Sequence, residues 1–265
     1  MKKPVVAFIT YDESHKEDAR KFKNSLRKFH SEEELPLVEI CGEDIKKRLA
    51  QDPHFFYRQK PIIASELMYQ YETVIGFDID QLVCGDLKHL WEDADYDVGT
   101  VLNFNPTDFK QYGPITTYII DCTKYFNCGL VAMRSKAFIE HWKKLCFQDD
   151  IFLNLQYREQ DILNILCKFG LYNVKCFDAM DEFETEHRWH GIVAKGEGLR
   201  MKLINNEEIR SEAKVILPKS ESGYPNTDIL VKLYHWGGPV KKFNYRVEFN
   251  EDLIKHFDYL VGDKK

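Results

Sequence analysis

The sequence predicts an α/β protein with a mostly parallel central sheet flanked by helices in a single domain. Three observations predict it. Short apolar runs alternate with amphipathic stretches through the first hundred residues, the pattern of βαβ units. No Pro-, Gly- or Ser-rich linker and no internal repeat divides the 265 residues. The run "VIGFDIDQLVCGD", Val74 to Asp86, stops abruptly at two aspartates, where a buried strand would emerge at its carboxyl end. Ligands of open α/β sheets bind at such ends.

Each element follows from spacing. Val5–Thr10 reads as a buried strand, and Lys16–Phe29 as a helix with Ala19, Phe22, Leu26 and Phe29 on one stripe. Leu37–Ile40 is a second strand and Glu43–Ala50 a short helix. Pro61 is expected to open the next helix, a position where its missing N–H costs nothing, with Ile62, Ile63, Leu67 and Met68 following. Val74–Phe77 is the strand into the aspartates, with a helical turn at Leu87–Trp91. Strands at Val98–Leu102 and within "YFNCGLVAMRS" precede a helix from Lys136 to about Phe147. Arg158–Lys168 is helical; Val174–Phe177, Val215–Leu217 and Leu230–Tyr234 are strands, and a helix covers about Glu251–Leu260.

Composition narrows the function. Apolar residues make up 44% and charged residues 30%, and 18 Phe with 14 Tyr can fill a substantial core. A net charge of −6 speaks against nucleic acid, whose phosphates need a basic surface. Seven cysteines without a CxxC pair read as buried thiols in a reducing compartment, not as a disulfide framework or a zinc site. The apolar run in "MKKPVVAFITYDESHKED" is interrupted early by charge and reads as a first strand, not a signal peptide. With no run long enough to span a membrane, the expectation is a cytoplasmic protein.

Asp78 and Asp80 lie two apart in an extended segment, so their side chains point to the same side. Adjacent carboxylates repel unless a cation stands between them. A divalent ion with oxygen ligands, commonly partnered by a substrate phosphate, resolves this; a solvated strand end is the plainer alternative. Phosphatases of the haloacid dehalogenase type also place DxD after an apolar strand, with the first Asp as nucleophile. They usually carry Thr or Ser where this chain has Leu82, and their DxD follows the first strand.

Four segments taken in order, "FDIDQLVCGDLKHLW", "YFNCGLVAMRS", "REQDILNIL" and "HWGGPVKKF", resemble the glycogenin-like retaining glycosyltransferases, family 8. The resemblance runs from about Val5 to Phe243 and rests on DxD, the FN-small-G strand, the D-Q-x-x-LN helix and a terminal HxxGxxK. It implies the GT-A fold, a UDP-sugar donor and Mn²⁺, with Mg²⁺ as the alternative. By the same resemblance Asp78, Asp80 and His235 would ligate the metal, with Asp80 or its neighbour Ile79 touching the ribose. Two carboxylates and an imidazole suit Mn²⁺ better than Ca²⁺.

The resemblance further implies that Lys241 reaches the diphosphate and that Gly238 lets backbone approach it closely. Lys60 would contact the nucleotide sugar, with Arg58 as the alternative; Asn127 and Cys128 would meet the donor sugar; Thr10, Tyr11 and Asp12 would hold base and ribose, although Asp12 also suits a helix cap. Gln160 would offer its carbonyl oxygen to an oxocarbenium-like centre, with Glu159, where many members have Asp, and Asp161 as acidic candidates. A simple polar helix face is the alternative for these three.

The expected organisation is one catalytic domain over 1–265, with a nucleotide-binding half at 1–103, a donor and acceptor half at 104–243 and a C-terminal helix at 244–265. The expected activity is metal-dependent transfer of a hexose from a UDP-sugar to a carbohydrate or glycoprotein acceptor, with retention. A hydrolase using Asp78 and a non-catalytic nucleotide-sugar binder are the alternatives. His187, Trp189 and His190 lie in a loop that could line an acceptor site or simply be exposed. Assembly as a homodimer is left open.

Overall fold

The structure is a computed structural model that describes residues 3–92, 95–102, 125–177 and 251–262, with the backbone of 200–204, 212–216, 228–230 and 233–235. It falls into two compact units that do not follow chain order. One comprises Met1–His15, Ser31–Ile79 and Lys88–Phe177; the other gathers Lys16–His30, Asp80–Leu87 and the described parts of Asp178–Lys265.

The first unit is a six-stranded sheet between helices. Its strands are β1 (Pro4–Thr10), β2 (Leu37–Cys41), β3 (Thr73–Phe77), β5 (Val98–Leu102), β6 (Phe126–Met133) and β7 (Val174–Cys176), in the order β2-β1-β3-β6-β5-β7. β1 pairs in parallel with β2 and β3, and β5 with β7, whereas β6 runs antiparallel to both of its neighbours. Five strands therefore share one direction and β6 opposes them. As a result, the carboxyl ends of β1, β3 and β5 meet the amino end of β6 along one edge.

β3 and nearly all of β1 are buried, as expected of parallel strands covered on both faces. The covering helices are α2 (Glu43–Gln51), α3 (Phe55–Leu67), α5 (Lys136–Cys146) and α7 (Glu159–Lys168), with short turns α4 (His89–Glu92) and α6 (Asp149–Phe152). Their inward stripes, including Ile63, Phe138, Trp142, Ile162, Leu163 and Leu166, join Val5, Val74 and Val131 in one core. Ser135 caps α5 by accepting from the Phe138 N–H at 3.3 Å.

In the second unit α1 (Lys16–Phe29) packs against β4 (Gln81–Val83) and α8 (Glu251–Val261). Ser25, buried in α1, accepts from the Val83 N–H at 3.0 Å, and His30 Nε2 accepts from the Leu87 N–H at 2.9 Å. Arg20 and Asn24 donate to the Val261 carbonyl at 2.8 and 2.7 Å, closing the last turn of α8. β11 (Leu233–His235) pairs antiparallel with β4, and β8 (Arg200–Ile204), β9 (Glu212–Ile216) and β10 (Asp228–Leu230) form a small antiparallel sheet.

Two expectations are corrected and one strand is added. Pro61 lies inside α3, which begins six residues earlier at Phe55. Asp52 Oδ1 accepts from the His54 N–H at 2.9 Å to start it, and burial of Phe55 and Ile63 holds it through the lost N–H of the proline. The single strand expected at Leu230–Tyr234 is two segments, one paired with β9 and one with β4. β4, directly after the aspartates, is a strand that the sequence reading does not assign.

Candidate active site

Of the residues expected to act on the donor, Lys60, Asp78, Cys128, Glu159 and Gln160 come together in the first unit at the edge where β3 ends and β6 begins. Phe77 stands opposite Leu130, and the Asp78 N–H donates to the Gly129 carbonyl at 2.9 Å. Asp78 thus lies beside Cys128 and Gly129 although fifty residues separate them in sequence. Lys60 arrives from α3. Its stem lies against β3 at Gly76, where an added Cβ would sit 3.6 Å from Lys60 Cγ and Cδ. Its Nζ meets Asp78 Oδ1 at 2.5 Å.

Glu159 and Gln160 open α7, which two contacts lock to β6. Asn164 accepts from the Phe126 N–H at 2.5 Å and donates to the Phe126 carbonyl at 2.9 Å. Gln160 Oε1 accepts from the Cys128 N–H at 2.9 Å. Glu159 is held by its own backbone too, since Trp142 Nε1 donates to its carbonyl at 2.9 Å. Its carboxyl lies 4.0 Å from the Cys128 thiol.

Electrostatics distinguish these groups. Burial works to strip the Lys60 proton, but the negative charge of Asp78 outweighs that and holds its pKa above the usual lysine value. Burial pushes Glu159 up to about 8 despite the pull of Lys60. Cys128 is likewise pushed up by burial and stays a thiol, inert as a nucleophile. Lys60 is therefore a buried cation held by Asp78, with the protonated Glu159 nearby.

The remaining candidates are placed as follows. Asp161 is fully buried and accepts from the Tyr125 hydroxyl at 2.6 Å and the Tyr157 N–H at 2.8 Å. Asn127 is buried and accepts from the Gly129 N–H at 2.6 Å. Thr10, at the end of β1, donates to Glu39 at 2.6 Å. Tyr11 is exposed, its ring edge-on to Phe56 at 5.3 Å. Asp12 binds the Ser14 N–H and His15 Nδ1, each at 2.8 Å, so it caps the turn at Glu13–His15. The Ser14 and His15 hydrogen bonds lower its pKa to about 2.

Arg58 is separated from Lys60 in role: it is buried and pairs with Asp52 at 3.0 Å and with Asp149. Ile79 and Asp80 are half-buried residues between β3 and β4. Within the second unit the β4–β11 pairing sets His235 opposite Gln81, next in sequence to Asp80. The side chain of His235 and all of Gly238, Lys241, His187, Trp189 and His190 lie outside the described residues.

Among the described residues no three His, Cys, Asp or Glu side chains cluster to hold a metal. Two carboxylates and an imidazole would suit a divalent ion in their chemistry; of the three expected ligands, Asp78 has a partly exposed carboxylate that Lys60 already meets. Tyr125 and Asn164 carry no role in the sequence reading. The signal for Asn164 is its spacing of four from Gln160, one turn along the same face, and its Nδ2 indeed donates to the Gln160 carbonyl at 2.8 Å.

No family model and no curated protein matches the chain. Solved structures do match in fold. The bifunctional glycosyltransferase WbbM has a TM-score of 0.59 at 13% identity, covering 99% of this chain and 50% of that one. The galactosyltransferase LgtC, solved with donor and acceptor sugar analogues, has a TM-score of 0.55 at 17% identity, covering 97% of this chain and 95% of LgtC. GlyE of Streptococcus pneumoniae has a TM-score of 0.52 at 14% identity, covering 99% of this chain and 63% of that one. The chain thus spans about half of WbbM, under two thirds of GlyE and nearly all of LgtC. With five strands running one way, β6 reversed between β3 and β5, and these neighbours, the chain has the GT-A glycosyltransferase fold.

Proposed function

We propose that the chain is a glycosyltransferase that moves a hexose from a UDP-sugar to a carbohydrate or glycoprotein acceptor with retention of anomeric configuration. The observation that carries this reading is the meeting of Lys60, Asp78, Glu159 and Gln160 at the carboxyl edge of a GT-A sheet. Support comes also from LgtC, solved with donor and acceptor sugar analogues, and from an LgtC structure described as an active-site mutant in which a glutamine becomes glutamate.

Cleavage of the bond between sugar C1 and the phosphate oxygen builds negative charge on the diphosphate. Lys60 stands charged in a buried place, where a cation stabilises such charge more than it would in water. Asp78 holds that ammonium in position. Asp78, Asp80 and His235 would hold Mn²⁺, which would supply Lewis-acid stabilisation of the leaving diphosphate. On the sugar side, Gln160 presents a carbonyl dipole to the positive charge that develops at C1. Below pH 8 Glu159 keeps its proton and can donate to a sugar hydroxyl, which a carboxylate cannot.

The test is a panel of nucleotide sugars with and without Mn²⁺, read as melting temperature and as UDP release. The expected result is a metal-dependent shift with one UDP-sugar, release of UDP from it, and loss of release in Asp80→Asn. Binding of UDP without release from any donor would instead identify a non-catalytic binder.

A further inference from the structure

We propose that Tyr125 is a positioning residue that sets which way the Gln160 amide faces, with Asp161 as the group that directs it. The proposal rests on the glycosyltransferase reading. A primary amide has an accepting end and a donating end of nearly equal size, and a glutamine whose carbonyl is to serve an electron-poor carbon must be held against turning over. Three hydrogen bonds in the first unit hold it. Asp161 Oδ1 takes the proton of the Tyr125 hydroxyl at 2.6 Å, while Asp161 Oδ2 is bound by the Tyr157 N–H at 2.8 Å. The Tyr125 hydroxyl donates to Asp161 Oδ1, so its one proton is committed there. The phenol oxygen is then left as an acceptor, and Gln160 Nε2 donates to it at 3.2 Å.

The other end of the amide is constrained independently. The Cys128 N–H only donates, and Gln160 Oε1 accepts from it at 2.9 Å. Turning the amide over would place an N–H against an N–H at Cys128 and oxygen against oxygen at Tyr125. Both errors would fall in a nearly water-free place, since Asp161, Tyr125 and Cys128 are 0%, 1% and 4% exposed. One carboxylate therefore fixes one phenol, and the phenol fixes the carbonyl on the Cys128 side. Asn164 completes the frame by holding the Gln160 backbone carbonyl.

The experiment uses the full chain with the UDP-sugar that it turns over. Tyr125→Phe removes the acceptor for Gln160 Nε2 and should lower kcat by about ten- to a hundredfold, the range lost when an outer partner of a metal ligand is removed. Donor KM should move by no more than about twofold, because Tyr125 acts through Gln160 and not on the nucleotide. Asp161→Asn gives the same split by a different route: its amide can donate to the phenol, which then donates to Gln160 and invites the reversed amide. In a Gln160→Ala background, Tyr125→Phe should cost nothing further in kcat. Equal losses in both backgrounds would overturn the proposal, as would losses in KM alone. Unfolding of both Tyr125→Phe and Asp161→Asn would also overturn it, in favour of a purely structural bond. A wild-type chain that releases no UDP from any donor removes the functional reading and this proposal together, whereas additive losses in an active chain remove this proposal alone.

Discussion

Lys60 keeps its charge where burial alone would remove it, because Asp78 sits 2.5 Å away. Its loss should remove stabilisation of the leaving group without emptying the nucleotide site. Lys60→Ala is expected to lower turnover by about 10²- to 10³-fold, as removal of a single charge-stabilising donor does elsewhere, measured as UDP release at saturating donor. Glu159 makes a different prediction, about stability. Its pKa rises from 4.5 in the unfolded chain to about 8 in the fold. Below 4.5 both states hold the proton and the group contributes no difference. Between 4.5 and 8 the unfolded chain has released a proton that the native state retains, so stability falls steadily as pH rises through that window. Melting temperature followed in a chelating buffer should show this decline, and Glu159→Gln should flatten it; an unchanged slope in the variant would assign the decline to another group.

At the scale of elements, the start of α3 is tied down by a buried guanidinium. Arg58 lies within 4.5 Å of the Phe152 ring centre and 4.9 Å of Phe147, while it pairs with Asp52 and Asp149. Two residues further along is Lys60, so this anchorage bears on where its ammonium stands. Arg58→Met keeps the stem and deletes the charge, leaving the half-buried Asp52 carboxylate without its cation. A loss of about 3 kcal/mol is expected, read from the urea midpoint. The turn before α7 is also strained: Arg158 adopts φ 47, and its guanidinium lies 4.3 Å from the Tyr57 ring centre. Strand glycines differ in the same measurable way. A Cβ at Gly99 would stand 2.5 Å from Phe177 Cζ, whereas at Gly76 the nearest atoms are at 3.6 Å and a void of about 10 Å³ adjoins it. Gly99→Ala should cost about 1–3 kcal/mol by overpacking. Gly76→Ala should cost less than about 1 kcal/mol.

For the molecule as a whole, the reversal of β6 is what turns a parallel sheet into a binding edge. An antiparallel strand inserted next to β3 brings its first residues, Asn127 and Cys128, to the end where Asp78 emerges. A parallel strand in that place would carry them to the opposite edge. Ligand binding to this edge should be visible in global stability. A UDP-sugar with Mn²⁺ present at about 100 times its Kd should add about 2.7 kcal/mol, and Mn²⁺ alone far less, read as paired melting curves. Equal shifts with and without the metal would remove Asp80 and His235 from the ligand set. Among the described residues no helix is long and apolar enough to cross a membrane.

Much of this was legible before any coordinates. Helix α1 runs over the residues its apolar stripe marks, and β3 stops at the aspartates as the change from apolar to charged residues predicts. These are local regularities of period 3.6 and period 2, which a single chain displays on its face. Long-range placement was not legible. Nothing in the neighbourhood of Lys60 says that it will meet Asp78 while Arg58, two residues away, turns to Asp52 and Asp149; residues two apart lie on nearly opposite sides of a helix, and only packing selects their partners. The same holds for Pro61, a helix opener by local preference that burial of Phe55 and Ile63 places mid-helix. Sequence alone determined the class of fold and the residue types available for chemistry. The tertiary structure decided which of them share a low-dielectric edge, because burial and antiparallel insertion act between residues that the chain keeps far apart.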